Sequence, residues 1–292
     1  MSFQNDMYAQ PKSVLRDFEK EIENLLYSSG IFFRLFSRIK AQNSIDLKYT
    51  EKCKEKGNAY KMQDYIGFRI ILYFKDDINI VENIFLKCYN KIDKSVNKQD
   101  ENNFSPVKLN YVFSLPDRYK YLISSAPADK VDKTFEIQIR TIFSEGWHEV
   151  EHDFRYKCKS DWNNYKEYSR ILNGILATLE NCDWAIIELF EDLSYQNYKN
   201  KEWDKMLKNK FRLRFNESPL KEEIINLFNT DNRIAKQVFK SNRSGLIENF
   251  SSTKKPFTLD NIVYYIFLYE NIESRLEIPD LVKELYAKTK IL

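Results

Sequence analysis

The run Tyr65-Ile66-Gly67-Phe68-Arg69-Ile70-Ile71-Leu72-Tyr73-Phe74 constrains the fold of this chain more than any other segment. It is rich in β-branched and aromatic residues and almost free of polar interruption. A strand with one face in water alternates apolar and polar positions; one that is apolar throughout is covered on both faces. A central strand is therefore expected here, with a layer of structure on each side of it. Asp76-Asp77 follows as a helix start, and Ile80, Val81, Ile84 and Phe85 then recur at helical spacing.

The rest of the first two thirds alternates in the same way. Residues 109–115 and 134–139 read as strands, and 121–125 as a candidate short one. Phe143, Trp147, Val150 and Phe154 mark one face of a helix. Upstream, residues 13–40 read as helical, with Val14, Leu15, Phe18, Ile22, Leu25 and Leu26 in phase. Ser28-Ser29-Gly30 breaks the run, and a second helix is expected to lead to Arg38 and Lys40. Residues 95–106 are polar and loop-like. A long helix runs from about 165 to 193, carrying Tyr168, Leu172, Ile175, Leu179, Ile186, Phe190 and Leu193 along one side. After Asn197 the strand signals stop, and helical patterns follow near 220–228, 231–241, 259–272 and 279–289. The expected fold is α/β (α+β), a mixed β-sheet flanked by helices over 1–197, with an α-helical extension over 198–292. The apolar run 262–269 is expected to pack inside that extension.

Composition excludes several classes. Only 6 of 292 residues are glycine, which disfavours glycine-rich dinucleotide loops and turn-dense all-β folds. A net charge of +3 is too small to signal nucleic-acid binding by itself. The charge is uneven, however: Lys199, Lys201, Lys205, Lys208, Lys210, Arg212 and Arg214 stand against Glu202 and Asp204. That stripe reads either as a solvated helix face or as a hold on a phosphate backbone. Four separated cysteines form no C-x-x-C pair and fit reduced thiols. No apolar run approaches the ~20 residues of a membrane span, so a cytoplasmic protein with no membrane partner is expected.

Residues 136–157 hold both histidines and admit two chemistries. His148-Glu149-Val150-Glu151-His152 matches the H-E-x-x-H spacing of zinc peptidases, in which two histidines one helical turn apart flank a general base. A zinc site of that kind needs a third ligand, and there is no third histidine. The strand before the helix carries its own carboxylate, in Glu136-Ile137-Gln138-Ile139-Arg140-Thr141.

Three segments in order resemble the synthetase domain of RelA/SpoT proteins, including the small alarmone synthetases. They are Ser37-Arg38-Ile39-Lys40 with Ser44 and Lys48; Asp64-Tyr65-Ile66-Gly67-Phe68-Arg69 with Asp76-Asp77-Ile78; and Glu136-Ile137-Gln138-Ile139-Arg140-Thr141 followed by Trp147, Glu151-His152 and Tyr156-Lys157. The resemblance spans about 30–160. It implies a nucleotidyltransferase-like fold and an ATP pyrophosphokinase. Arg38, Lys40, Ser44, Lys48 and Arg69 would bind ATP, and Asp64 and Glu136 would hold Mg²⁺. Asp64, Glu136 and Arg69 would be catalytic, with Glu136 also accepting the proton of an attacking 3′-hydroxyl. Lys108, Asn110, Gln138, Arg140, Glu151, His152, Tyr156 and Lys157 would face the acceptor. These roles agree with elementary chemistry, since guanidinium and ammonium groups orient a triphosphate and Mg²⁺ takes carboxylate oxygen.

The family pattern departs in one place. Where alarmone synthetases carry a G-Y-R-S-L-H-like loop whose Tyr stacks on guanine, this chain has Ser105-Pro106-Val107-Lys108-Leu109-Asn110. Pro106 stands at the Tyr position, Val107 at the Arg position and Asn110 at the His position. Divergent toxic members transfer pyrophosphate to the 3′-CCA end of tRNA, so this sequence is expected to do the same, as a translation-blocking toxin that could serve in phage defence. A (p)ppGpp synthetase acting on GTP or GDP is the alternative, followed by a catalytically silent sensing module and, last, a zinc hydrolase. Residues 198–292 are expected to regulate or to bind a partner such as an antitoxin or phage protein.

Overall fold

The computed structural model describes residues 3–41, 45–46, 49–50, 52–54, 60–96, 109–124, 126–127, 129–250 and 258–289. The chain divides into two compact units. The first comprises Met1–Asn24, Phe33–Tyr73 and Ile84–Asn181; the second comprises Leu25–Phe32, Phe74–Asn83 and Cys182–Leu292.

The first unit is built on a five-stranded mixed sheet. Its strands are β1 (Phe33–Ile39), β2 (Ile66–Leu72), β3 (Lys91–Val96), β4 (Leu109–Ser114) and β5 (Thr134–Thr141), in the spatial order β1-β2-β5-β4-β3. β2 and β5 run parallel; the other neighbours are antiparallel. The long apolar run of the sequence is β2, and six of its seven residues are buried. The one half-exposed residue is Arg69.

Register explains what each face of the sheet does. Residues aligned across neighbouring strands point to the same side, and alternate residues point to opposite sides. One face gathers Leu35, Phe68, Ile70, Phe135, Ile137, Tyr111 and Phe113. Against it lies α1 (Phe3–Tyr27), whose Phe18 is fully buried. The Phe18 ring stacks on Tyr119 at 4.2 Å and meets Phe68 and Phe135 edge-on at 4.9 and 5.0 Å. Such aromatic pairs add about 0.5–1.5 kcal/mol each beyond the area they bury. The opposite face is polar. It carries Arg34, Phe36 and Arg38 from β1, Gly67 and Arg69 from β2, Glu136, Gln138 and Arg140 from β5, and Asn110 from β4.

After β5 the chain enters α3 (Ile142–Glu151). Thr141 caps it, its hydroxyl accepting from the Ser144 amide while the Ser144 hydroxyl accepts from the Thr141 amide. This reciprocal cap fixes the helix to the end of the strand. A π-helical turn, His152–Tyr156, and a short helix α4, Lys159–Trp162, follow. The helix α5 (Lys166–Lys199) begins in the first unit, where the Trp147 indole donates to the Leu172 carbonyl at 2.8 Å.

Three expectations are corrected. The segment expected as a second helix toward Arg38 is strand β1. Its apolar residues fit both periods, but the observed burial alternates every second residue, and backbone pairing with β2 decides the matter. In the candidate strand at 121–125, residues 121–123 belong to a 3₁₀ helix, Asp117–Ile123, which follows Pro116 and buries Tyr119 and Leu122, three residues apart, while Ser125 lies outside the described residues. The helix face expected from Phe143 to Phe154 is only partly buried: Trp147 is packed, whereas Val150 is 50% and Phe154 69% exposed. Strand β3 was not anticipated, because Lys91, Asp93 and Lys94 disguise it.

The second unit contains α6 (Trp203–Phe211), α7 (Glu222–Thr230), α8 (Asn232–Lys240), α9 (Arg243–Phe250), α10 (Leu259–Tyr269) and α11 (Asp280–Thr289). α10 is buried from Ile262 through Phe267, as a helix apolar on all sides must be. The start of α2 (Asp77–Cys88) also lies in this unit. Asp77, fully buried, forms a 2.7 Å ion pair with Arg243, and Asp76 pairs with Arg212 and Arg243. Arg212 ends α6 in the left-handed region at φ 48° and also reaches Glu191, as Lys210 does. The basic stripe is therefore not wholly a solvated face: Lys210, Arg212 and Arg214 are spent on internal acids and on the Ile31 carbonyl. No helix among the described residues is long and apolar enough to cross a membrane.

Candidate functional site

The polar face of the sheet and the first turns of α3 enclose a cleft of about 770 Å³, within the usual range for small-molecule sites. Its lining includes Arg38, Arg69, Gln138, Arg140, Glu151, His152 and Lys157, seven of the residues singled out from sequence. They come from β1, β2 and β5, the end of α3 and the π-helical turn that follows it with its C-cap Lys157. The arginines converge because alternate residues of β1, β2 and β5 share one face in register. Arg38 lies across Gly67: a Cβ there would sit 3.7 Å from its Nε. A larger residue at 67 would compete for that space.

A relay of hydrogen bonds runs across the strands. Asn110 Nδ2 donates to Glu136 Oε1 at 3.0 Å, Gln138 Nε2 donates to Glu136 Oε2 at 2.8 Å, and Arg69 Nε donates to Gln138 Oε1 at 3.3 Å. Glu136 is only 8% exposed. Both its oxygens are thus oriented by neutral amides rather than neutralised by a cation. Asp64, at the mouth of β2, takes a 2.7 Å salt bridge from Lys40.

Sequence reading missed Glu145 and placed Glu149 only in the zinc pattern, not against Arg69. They stand one turn apart on α3, and both accept from Arg69 Nη1 at 2.6 Å. The other oxygen of Glu145 accepts from Arg140 at 2.6 Å. Burial alone would pull the Arg69 guanidinium down, but the two carboxylates outweigh it and hold its pKa above the ordinary value. Arg140 is more deeply buried; there burial wins over Glu145 and the pKa is lowered. The signal available in the sequence was the i, i+4 acid pair on a capped helix that starts directly from the strand bearing Arg140.

The remaining expected residues fall as follows. Glu151 is held by Arg155 at 3.3 Å. His152 Nδ1 lies 2.9 Å from Asp153, which also pairs with Lys157 at 2.7 Å. Tyr156 stacks on His152 with ring centres 5.7 Å apart. Ser44, Lys48 and Lys108 lie outside the described residues, as do Pro106 and Val107. The histidine pair does not assemble a zinc centre. His148 is packed against Trp147, His152 is turned to Asp153, and no group of three or more His, Cys, Asp or Glu that could hold a metal occurs among the described residues. Asp64 and Glu136 suit a different ion. They offer only hard oxygen, and Mg²⁺ keeps several waters and takes one or two carboxylates plus substrate phosphates.

Residues 37–161 match the family model described as a region found in RelA / SpoT proteins. This stretch is therefore similar to a RelA/SpoT region. It includes β1 from Ser37, the whole of β2, β4 and β5, and helix α3. No curated protein matches the chain in sequence. Among solved structures, small alarmone synthetase 1 from Bacillus subtilis is 21% identical, with 64% of this chain and 95% of that chain covered, at a TM-score of 0.45. Small alarmone synthetase 2 from Bacillus subtilis is 24% identical, with 65% and 98% covered, at 0.44. A GTP pyrophosphokinase family protein from Streptococcus pneumoniae is 18% identical, with 64% and 94% covered, at 0.43.

Proposed function

We propose that this chain is an ATP-dependent pyrophosphotransferase that moves the β,γ-pyrophosphate of ATP onto a nucleotide 3′-hydroxyl. The observation that carries this is the polar sheet face of the RelA/SpoT region, where Arg38, Arg69 and Arg140 line one cleft and Glu136 sits beside it through Gln138. In this reading Arg38 and Arg69, with Lys40, Ser44 and Lys48, neutralise and orient the triphosphate. Asp64 and Glu136 hold Mg²⁺, which when bound offsets charge developing on the transferred group. Glu136 accepts the proton of the attacking hydroxyl. The oxygen attacks the β-phosphorus, the bond from that phosphorus to the α-phosphate oxygen breaks, and AMP leaves. Asn110 and Gln138 keep the carboxylate of Glu136 aimed. Arg140, Glu151, His152, Tyr156, Lys157 and Lys108 face the acceptor.

The acceptor we favour is the 3′-CCA end of tRNA, with inhibition of translation as the consequence. Its support is the sequence at 105–110, where Pro106 replaces the guanine-stacking tyrosine and Asn110 replaces histidine. Residues 198–292 would then regulate the enzyme or receive an antitoxin or phage protein. A guanosine acceptor, giving (p)ppGpp, is the second reading, favoured by the RelA/SpoT match itself. Incubation with ATP labelled in the β-phosphate and either deacylated tRNA or GDP/GTP tests both. Label on tRNA alone supports the first reading, label in guanosine tetra- or pentaphosphate the second, and transfer to neither refutes the enzyme assignment.

A further inference from the structure

We infer that Glu149 is a detachable latch on Arg69, and that Glu145 is the fixed anchor that keeps Arg69 in place when the latch opens. The inference rests on reading the cleft as a nucleotide site. A nucleoside triphosphate brings several negative charges, yet Arg69, Arg140 and Lys157 each meet the cleft with a carboxylate already attached. Some of those pairs must open before phosphate can take their place.

The geometry distinguishes the two acids on Arg69. Glu145 is 12% exposed, and its two oxygens serve two different guanidiniums, Arg69 and Arg140, at 2.6 Å each. Breaking it away strands two partly buried cations, which is costly. Glu149 is 56% exposed, and among the described residues its only ion pair is the one with Arg69 Nη1. An exposed pair of that kind contributes little and is readily exchanged for water. The Nη1 nitrogen has two hydrogens, one for each acid. Departure of Glu149 frees one of them, while Glu145 on Nη1 and Gln138 on Nε still fix the plane of the guanidinium. The arginine is thus pre-oriented for phosphate, and the second hydrogen of its Nη1 is covered until a sufficiently charged ligand competes for it. Both acids are positioning residues, acting through Arg69.

Isothermal titration of the full chain with MgATP separates latch from anchor. Glu149→Gln is expected to bind about two- to fivefold tighter, the scale of an exposed ion pair. Glu145→Gln is expected to bind about threefold weaker or worse, because Arg69 and Arg140 lose their common partner. General repulsion of a polyanion would make both variants bind tighter, so the opposite signs are diagnostic. Arg69→Ala is expected to weaken binding roughly ten- to hundredfold, the scale of a charged hydrogen bond. In that background the Glu149→Gln gain should vanish. A gain that persists undiminished without Arg69 overturns the latch, as does a Glu149→Gln variant that binds no tighter than wild type. Absence of MgATP binding by the wild type overturns the nucleotide reading itself, and the latch with it.

Discussion

Replacing Arg243 with methionine tests how the second unit holds its buried charge. Arg243 is 6% exposed; it donates through Nε to the Phe211 carbonyl at 2.7 Å and pairs with Asp77 at 2.7 Å and Asp76 at 3.3 Å. Methionine keeps most of the aliphatic volume, so the change isolates the charge. It leaves Asp77 without its nearest cation at a position with no solvent exposure. Breaking one side of a buried pair costs about 3–5 kcal/mol, against a total stability of roughly 5–15 kcal/mol. With a urea slope of about 2 kcal/mol per M, the unfolding midpoint should fall by about 2 M at pH 7.

The loss must also depend on pH, with a definite sign. Burial, reinforced by the Asp76 charge, already raises the Asp77 pKa in the folded chain despite Arg243 and Arg212. Between the ordinary aspartate value near 4 and that raised value, the native state binds more protons than the unfolded one. Stability therefore falls as pH rises through this window. Removing Arg243 pushes the folded value higher and widens the window, so the variant's deficit should be narrow in acid and grow as pH rises from acid through neutral. Adding Asp77→Asn should restore part of the lost stability at pH 7. Urea titrations followed by tryptophan fluorescence measure this directly; Trp184 and Trp203 both lie in this unit. A deficit below about 1 kcal/mol, or one unchanged across that pH range, would refute the reasoning.

Three further outcomes are expected. Glu136→Gln should lower pyrophosphate transfer by at least about a hundredfold, the scale of losing a general base, with the thermal midpoint unchanged to within a few degrees; a variant retaining most of its rate would remove Glu136 from catalysis. Gly67→Leu should displace Arg38 and raise the KM for ATP while the far-ultraviolet circular dichroism stays native; an unaltered KM would show that Arg38 does not need the space above residue 67. Phe18→Ala should destabilise the first unit by about 3–5 kcal/mol through loss of the ring stack under the sheet; a loss of less than about 1 kcal/mol by urea unfolding would show that this face is not its core.

Much of the fold was legible in local pattern, because burial on two faces leaves a mark that needs no distant partner. That is why β2, β4, β5, the helix after Asp76 and the fully apolar α10 could be read from their own residues. β1 could not, since Phe32, Phe33, Leu35, Phe36 and Ile39 satisfy a helical period as well as a strand period. Only pairing with β2 selects one. β3 was hidden for the opposite reason: a terminal strand of the sheet with charged residues carries little hydrophobic signal.

The sequence by itself determined the chemistry present: a RelA/SpoT-like order of Arg38, Lys40, Asp64, Arg69, Glu136, Gln138 and Arg140, and an Asn110 where that order expects histidine. Only the tertiary structure decided which of these meet. Strand register set Arg38, Arg69 and Arg140 on one face, and it put Asn110 and Gln138 on the oxygens of Glu136. It also turned α3 so that Glu145, unremarked in the sequence, and Glu149, read there only as part of a zinc pattern, close on Arg69. Periodicity assigns a residue to a face; the partners it finds there come from elements far away in the chain, and those distances are settled only when the strands pair.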